Sequence, residues 1–105
     1  MTSKEGLTAM IDRFDASKAK GVDATVQMVL TGVDGGDYQI HIKNGQAALT
    51  EGKAERAAAT VEVASNDWLD ILAGRMDPTM AFMGGKLKVA GDLGLMMRFQ
   101  SMFVA

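Results

Sequence analysis

Apolar and polar positions alternate along this chain with two different periods, and the changes of period divide it into elements. Leu7, Met10, Ile11 and Phe14 recur at i, i+3, i+4 and i+7, with Lys4, Asp12, Arg13, Asp15 and Lys18 on the other faces. That spacing predicts an amphipathic helix over residues 4–20, stopped by Gly21. The period then falls to two. Val26, Met28 and Leu30 alternate with Thr25, Gln27 and Val29 in a half-buried strand that ends at the turn signal Asp34-Gly35-Gly36. Tyr38, Ile40 and Ile42 alternate with Gln39, His41 and Lys43 in a second strand. Asn44-Gly45 then closes a hairpin, and Ala47 and Leu49 face inward on a third strand. After the polar segment 51–56, Ala59, Val61 and Val63 mark a fourth strand, read as completing a meander.

Beyond Ala64 the helical period returns. Ser65-Asn66-Asp67 offers a capping side chain and an early acid ahead of Trp68, Leu69, Ile71 and Leu72, which predicts a short helix ending at Gly74. Asp77-Pro78 starts another, carrying Met80, Phe82 and Met83 before Gly84-Gly85. Leu87 and Val89 alternate with Lys86 and Lys88 in a fifth strand, and Gly91-Asp92 opens a last helix over residues 93–103. The expected fold is α+β, a five-stranded, mainly antiparallel sheet covered on one face by helices, in a single domain spanning residues 1–105.

The last helix is too apolar for that role alone. Leu93, Leu95, Met96, Met97, Phe99, Met102 and Phe103 occupy an arc of roughly 220°, where a helix lying on a sheet needs little more than ~100°. The stretch Met76–Phe103 also holds six of the nine methionines and three of the four phenylalanines. Three readings stay open on periodicity. The surplus walls a pocket, with Gln100 inside the apolar arc as its polar handle; it fills an irregular core with methionine; or it makes a homodimer that buries Met102 and Phe103. An empty pocket of ~300 Å³ at ~24 cal/mol per Å³ would cost about 7 kcal/mol. That is large against the ~5–15 kcal/mol of a whole domain. Either Met80, Met83, Met96 and Met97 collapse into such a pocket or a long apolar ligand occupies it.

Composition removes several function classes. A net charge of −2 with mixed signs leaves no basic stripe for a phosphate backbone, so nucleic acid is not an expected partner. The absence of cysteine excludes disulfides, thiolate nucleophiles and thiolate metal sites. The amphipathic start and the lack of a long apolar run predict a cytoplasmic protein with at most transient membrane contact. His41, the only histidine, falls on the polar side of a strand, away from any serine with a claim to be a nucleophile. Asp34 and Asp37 are turn residues with too few partners for a metal. Gly84-Gly85-Lys86 fails the phosphate-loop pattern, because Met80 stands where its first glycine belongs and Leu87 where a Ser or Thr should follow. No catalytic set and no cofactor is therefore expected.

The ordered series Lys43-Asn44-Gly45, Ala73-Gly74-Arg75-Met76-Asp77-Pro78, Ala81-Phe82, Gly85-Lys86-Leu87-Lys88-Val89, Gly91-Asp92-Leu93-Gly94-Leu95 and Phe99-Gln100 resembles the sterol carrier protein-2 domain family. The resemblance runs nearly end to end. It implies a hydrophobic tunnel for fatty acids, fatty acyl-CoA, sterols or isoprenoid lipids in a non-enzymatic, intracellular binding or transfer protein. By position, the tunnel walls would be Trp68, Leu72, Met80, Phe82 and Met83 on the short helices and Leu95, Met96, Phe99, Gln100 and Phe103 on the last. A backbone N–H near Gly84-Gly85 is a further expected contact for the ligand's polar end. The alternative reading is an accessory or dimerisation subunit docking to an enzyme of lipid, acyl-CoA or quinone metabolism. The ending Phe103-Val104-Ala105 lacks the family's eukaryotic extension and Ser-Lys-Leu signal, which points to a stand-alone prokaryotic version.

Overall fold

The computed structural model describes residues 2–103, and the two periodicities become five strands and four helices; the chain ending at Val104-Ala105 lies outside the described residues. In chain order these are α1 (Ser3–Asp12), β1 (Ala24–Thr31), β2 (Gly36–Lys43), β3 (Gln46–Glu51), β4 (Ala59–Ala64), α2 (Ser65–Leu72), α3 (Pro78–Met83), β5 (Leu87–Gly91) and α4 (Leu93–Met102). The sheet runs β3-β2-β1-β4-β5. Three of its four pairings are antiparallel, and β1 pairs with β4 in parallel.

The inward set is the one the alternation predicts. Val26, Met28, Leu30, Tyr38, Ile40, Ile42, Val61 and Val63 are all buried, and Leu7, Met10, Trp68, Phe99 and Met102 of the helices complete the core above them. Asn44 and Gly45 both take positive φ, 54° and 71°, as the two-residue turn between Lys43 and its partner Gln46 requires.

The meander stops at β3. To lie parallel beside β1, the chain must leave one edge of the sheet and cross to the far side of β1. Residues 52–58 make the crossing, and Gln27 pins them. Its Nε2 donates to the carbonyls of Tyr38 and Gly52 at 3.0 and 3.1 Å, and its Oε1 accepts from the Ala54 N–H at 2.7 Å. Gln27 is thus a buried residue on the otherwise polar face.

The first helix is shorter than its periodicity suggests. The continuation past Asp12 is broken because the Asp15 N–H bonds the Met102 carbonyl at 2.7 Å, while the Asp15 carboxylate accepts from the Ser17 N–H and opens a 3-10 turn over Ala16–Lys18. Phe14 packs on Phe103, ring centroids 5.4 Å apart. Ser65 is not a cap either. It is the first helical residue, and its hydroxyl is buried and donates to the Val33 carbonyl. Asp77 and Asp92 do cap: Asp77 accepts from the N–H groups of Thr79 and Met80, and Asp92 from that of Leu95. His41 is half-buried on the outer face, with its ring nitrogens 3.0 and 2.9 Å from the hydroxyls of Thr25 and Thr50.

Candidate functional site

Leu87 and Val89 face the core side of the sheet, yet they are only half-buried, whereas their neighbours Val61 and Val63 on β4 are buried. The helix layer parts above them. The α3 helix packs on β5, while α4 packs on β4 and the 3-10 turn. Three bonds hold α4 there: the Asp15 N–H to the Met102 carbonyl, and Arg98 Nη2 to the carbonyls of Lys20 and Lys18 at 2.9 and 3.4 Å. Between the two helices lies an open cavity of about 660 Å³, within the range typical of small-molecule sites.

Its floor is a single cross-strand row. Met28 of β1 pairs with Val61 of β4, which pairs with Val89 of β5, and all three line the space together with Leu87. One wall is Trp68, Ile71, Leu72 and Gly74 from α2 and its exit. Pro78, Thr79 and Phe82 contribute from α3, and Leu93, Met96, Met97, Phe99, Gln100 and Phe103 from α4. Met10 and Arg13 contribute from α1 and its exit. The rings of Phe99 and Phe103 pack tilted at 54°, centroids 4.9 Å apart, which stiffens that wall.

Polar groups are few. Among the side chains lining the cavity, only Arg13, Thr79, Gln100 and the Trp68 indole carry a nitrogen or oxygen. Arg13 and Gln100 make no side-chain hydrogen bond or ion pair among the described residues, and both are exposed, which places them at the opening rather than in the depth. The Trp68 Nε1–H is buried without a partner among the described residues. Leaving such a donor unpaired costs about 1–3 kcal/mol.

Seven of the ten residues expected at the site are brought together here: Trp68, Leu72, Phe82, Met96, Phe99, Gln100 and Phe103. Met80, Met83 and Leu95 are not. Met80 and Met83 point to solvent on α3, and half-buried Leu95 packs against the core. The methionines of α3 thus stand outside the cavity instead of collapsing into it. The expected donors at Gly84 and Gly85 are already used, by the carbonyls of Met80 at 2.9 Å and Phe82 at 3.2 Å. Met102 and Phe103 are buried within the chain, so they have no surface to give a dimer. Sequence reasoning missed the floor, Met28, Val61 and Val89, because the order of strands decides which inward positions sit under the gap. It missed Arg13 because the residue follows α1 and shares a polar face with Asp12. The apolar alternation of β5 beside two exposed lysines was the available signal for the floor.

A profile of the SCP-2 sterol transfer family matches residues 7–104. Hydroxysteroid dehydrogenase-like protein 2 of Xenopus tropicalis is 32% identical over 98 residues, covering 92% of this chain and 24% of the relative. The chain therefore spans about a quarter of that protein's length. The structure superposes on a double mutant of the sec-alkyl sulfatase PisA1 with a TM-score of 0.88 and 24% identity, over 100% of this chain and 17% of the other. With palmitated SCP2L2 from Aedes aegypti the TM-score is 0.82 at 18% identity, over 100% of this chain and 96% of that one. Both superpositions speak for the fold.

Proposed function

The chain belongs to the SCP-2 sterol transfer family, and from that premise we propose that it is a non-enzymatic lipid carrier whose cavity holds a long apolar chain with a small polar end. The observation that carries the reading is the cavity of about 660 Å³ with walls that are apolar but for four residues. Burial of a methylene is worth ~0.8 kcal/mol, so a ligand of many methylenes gains most from such walls. Fatty acids and fatty acyl-CoA suit the opening, where Arg13 and Gln100 offer N–H donors to a carboxylate or thioester oxygen.

The test starts with mass spectrometry of lipid extracted from the purified protein, then titration of the stripped protein with palmitate and palmitoyl-CoA. Trp68 is the only tryptophan and lies in the cavity wall, so its fluorescence reports occupancy. Saturable binding at one site with a raised melting temperature is expected. Absence of co-purifying lipid together with no response to either probe would sink the proposal. Substitution Gln100→Leu is expected to leave the melt unchanged, since the residue is exposed, and to weaken palmitate more than an alkane of equal length; equal losses would remove its role. A second reading has one observation in its favour, the small share of the dehydrogenase-like and sulfatase proteins that the chain covers. There the domain would hold lipid for a catalytic partner, and a stoichiometric complex on copurification would support it.

A further inference from the structure

Sulfur is unevenly placed in this chain. There is no cysteine, so the nine methionines carry all of it, and four of them, Met10, Met28, Met96 and Met97, line the cavity. Met10 and Met28 are 4% and 0% exposed, which leaves half-buried Met96 and exposed Met97 as the thioethers that an entering molecule meets. The other side-chain heteroatoms on the wall belong to Arg13, Thr79, Gln100 and Trp68, and none of them takes up an oxygen atom as a thioether does. We propose that the cavity binds lipid hydroperoxides and that Met97 and Met96 reduce them to alcohols, each sulfur keeping the transferred oxygen as a sulfoxide. The inference rests on the carrier reading and extends it from holding an acyl chain to acting on an oxidised one.

The chemistry needs nothing beyond the two reactants. A sulfur lone pair attacks the terminal oxygen of the hydroperoxide, the O–O bond breaks as an S–O bond forms, and the proton of that oxygen passes to the departing alkoxide. Sulfur is oxidised by two electrons and the peroxide is reduced by two, giving methionine sulfoxide and a hydroxy lipid. The step is stoichiometric, one hydroperoxide for each methionine, and a sulfoxide at exposed Met97 stands open to a sulfoxide reductase. What the cavity contributes is position. A hydroperoxide borne on an apolar chain goes where the chain goes, and burial of that chain holds the peroxide against the wall, so that its encounter with sulfur becomes intramolecular. The unbranched methionine side chain lets the sulfur follow an oxygen carried at different points along the ligand. Leucine would serve an apolar wall as well but has no reducing atom.

The methionines also supply the control. Met83 on α3 is 76% exposed and Met97 77%, yet Met97 lines the cavity and Met83 does not. A reagent attacking from solvent treats the two alike, whereas one that arrives bound in the cavity prefers Met97. Lipid-stripped protein is treated with the hydroperoxide of linoleic acid, with hydrogen peroxide, or with the lipid hydroperoxide plus excess palmitate, and peptide mass spectrometry follows each sulfoxide. With the lipid hydroperoxide, Met97 is expected to oxidise about tenfold or more faster than Met83, Met96 also ahead of Met83, and each sulfoxide matched by one molecule of hydroxy acid. Hydrogen peroxide is expected to oxidise Met83 and Met97 at rates within about twofold of each other. Excess palmitate should abolish the preference. Equal rates at Met83 and Met97 with the lipid hydroperoxide, in protein that binds palmitate, overturn the proposal and leave the carrier reading standing. Hydroxy acid formed without sulfoxide overturns it as well. Failure of palmitate to bind in the fluorescence titration sinks the carrier reading and the proposal with it.

Discussion

Enlarging the cavity floor is the sharpest test of whether the space above the sheet is an apolar cavity. Val61 lies at the centre of the floor row, buried between Met28 and Val89. Val61→Phe adds four side-chain carbons on the face that meets the cavity. At ~0.8 kcal/mol per buried methylene, full burial would gain about 3 kcal/mol; in a space that is open on one side about half of that is expected. In a close-packed interior the same enlargement costs about 1–3 kcal/mol. The two cases therefore differ in sign. Ile40→Phe is the control, since Ile40 faces the same side of the sheet, is fully buried and does not line the cavity. Urea unfolding of lipid-stripped protein reads both. With a slope of ~1–3 kcal/mol per molar, Val61→Phe should raise the midpoint by about 0.5–1 M, and Ile40→Phe should lower it by a similar amount. Stripping matters, because bound lipid stabilises the parent by linkage and would mask the gain. Palmitate affinity should fall at least about tenfold in Val61→Phe, where the new ring occupies the ligand's place. Equal destabilisation by the two variants, with palmitate binding intact in Val61→Phe, would refute the reasoning.

Other positions test the frame around the cavity. Gly91 has φ +95°, and a Cβ there would come within 2.5 Å of the Ala58 carbonyl, so Gly91→Ala should cost about 2–4 kcal/mol in denaturant unfolding and tilt α4 off its start. Gln27→Leu strips partners from three backbone groups, two in the crossover segment (Gly52 and Ala54) and one in β2 (Tyr38); a loss of about 2–4 kcal/mol is expected, with faster hydrogen exchange at the Ala54 N–H. Asp15 is held below its ordinary pKa by the Ser17 hydroxyl and then by the Ser17 N–H, and Glu5 by the Thr2 N–H and hydroxyl. A carboxylate with a folded pKa below its unfolded one stabilises fully above the unfolded value and loses that contribution as pH falls through the folded one. Stability should therefore drop below about pH 4, and the double variant Asp15→Ala, Glu5→Ala should show a flatter acid limb in thermal melts.

What could be read from sequence was the chemistry confined to a few neighbouring residues. Asn44-Gly45 and Asp77-Pro78 act through their own backbone dihedrals and donors, and both turned out as expected. The inward face of each strand followed from alternation, because burial of one face leaves no freedom of register. What required distant partners was not legible. The end of α1 depends on the Met102 carbonyl, some ninety positions away, which takes the Asp15 N–H. The parallel pairing of β1 with β4 depends on where the chain goes after β3, and Gln27, which fastens that route, looks in sequence like any polar strand residue. Ser65 has a capper's identity but a hydroxyl committed to Val33.

The width of the apolar arc on α4 was the informative anomaly, and the structure divides it three ways. Phe99, Met102 and Phe103 are buried; Met96 and Phe99 wall the cavity; Leu93 and Met97 stand at its mouth. A periodicity argument detects only that such a helix has more apolar surface than one neighbour can cover. Which part is core, wall or rim depends on how far the helix sits from β5, and that distance is set by the Asp15 and Arg98 contacts at its other side. The same reasoning explains the fate of α3. Its six residues make less than two turns, Ala81 is the one residue buried, and Phe82 reaches the lumen, so Met80 and Met83 have no interior left to enter. Their exposure is a consequence of the short helix that lets the cavity open between α3 and α4. The short α3 that leaves Met80 and Met83 exposed is also the element packed on β5 that leaves Leu87 and Val89 only half-covered, so the exposed methionines and the open cavity have one origin in the length of that helix.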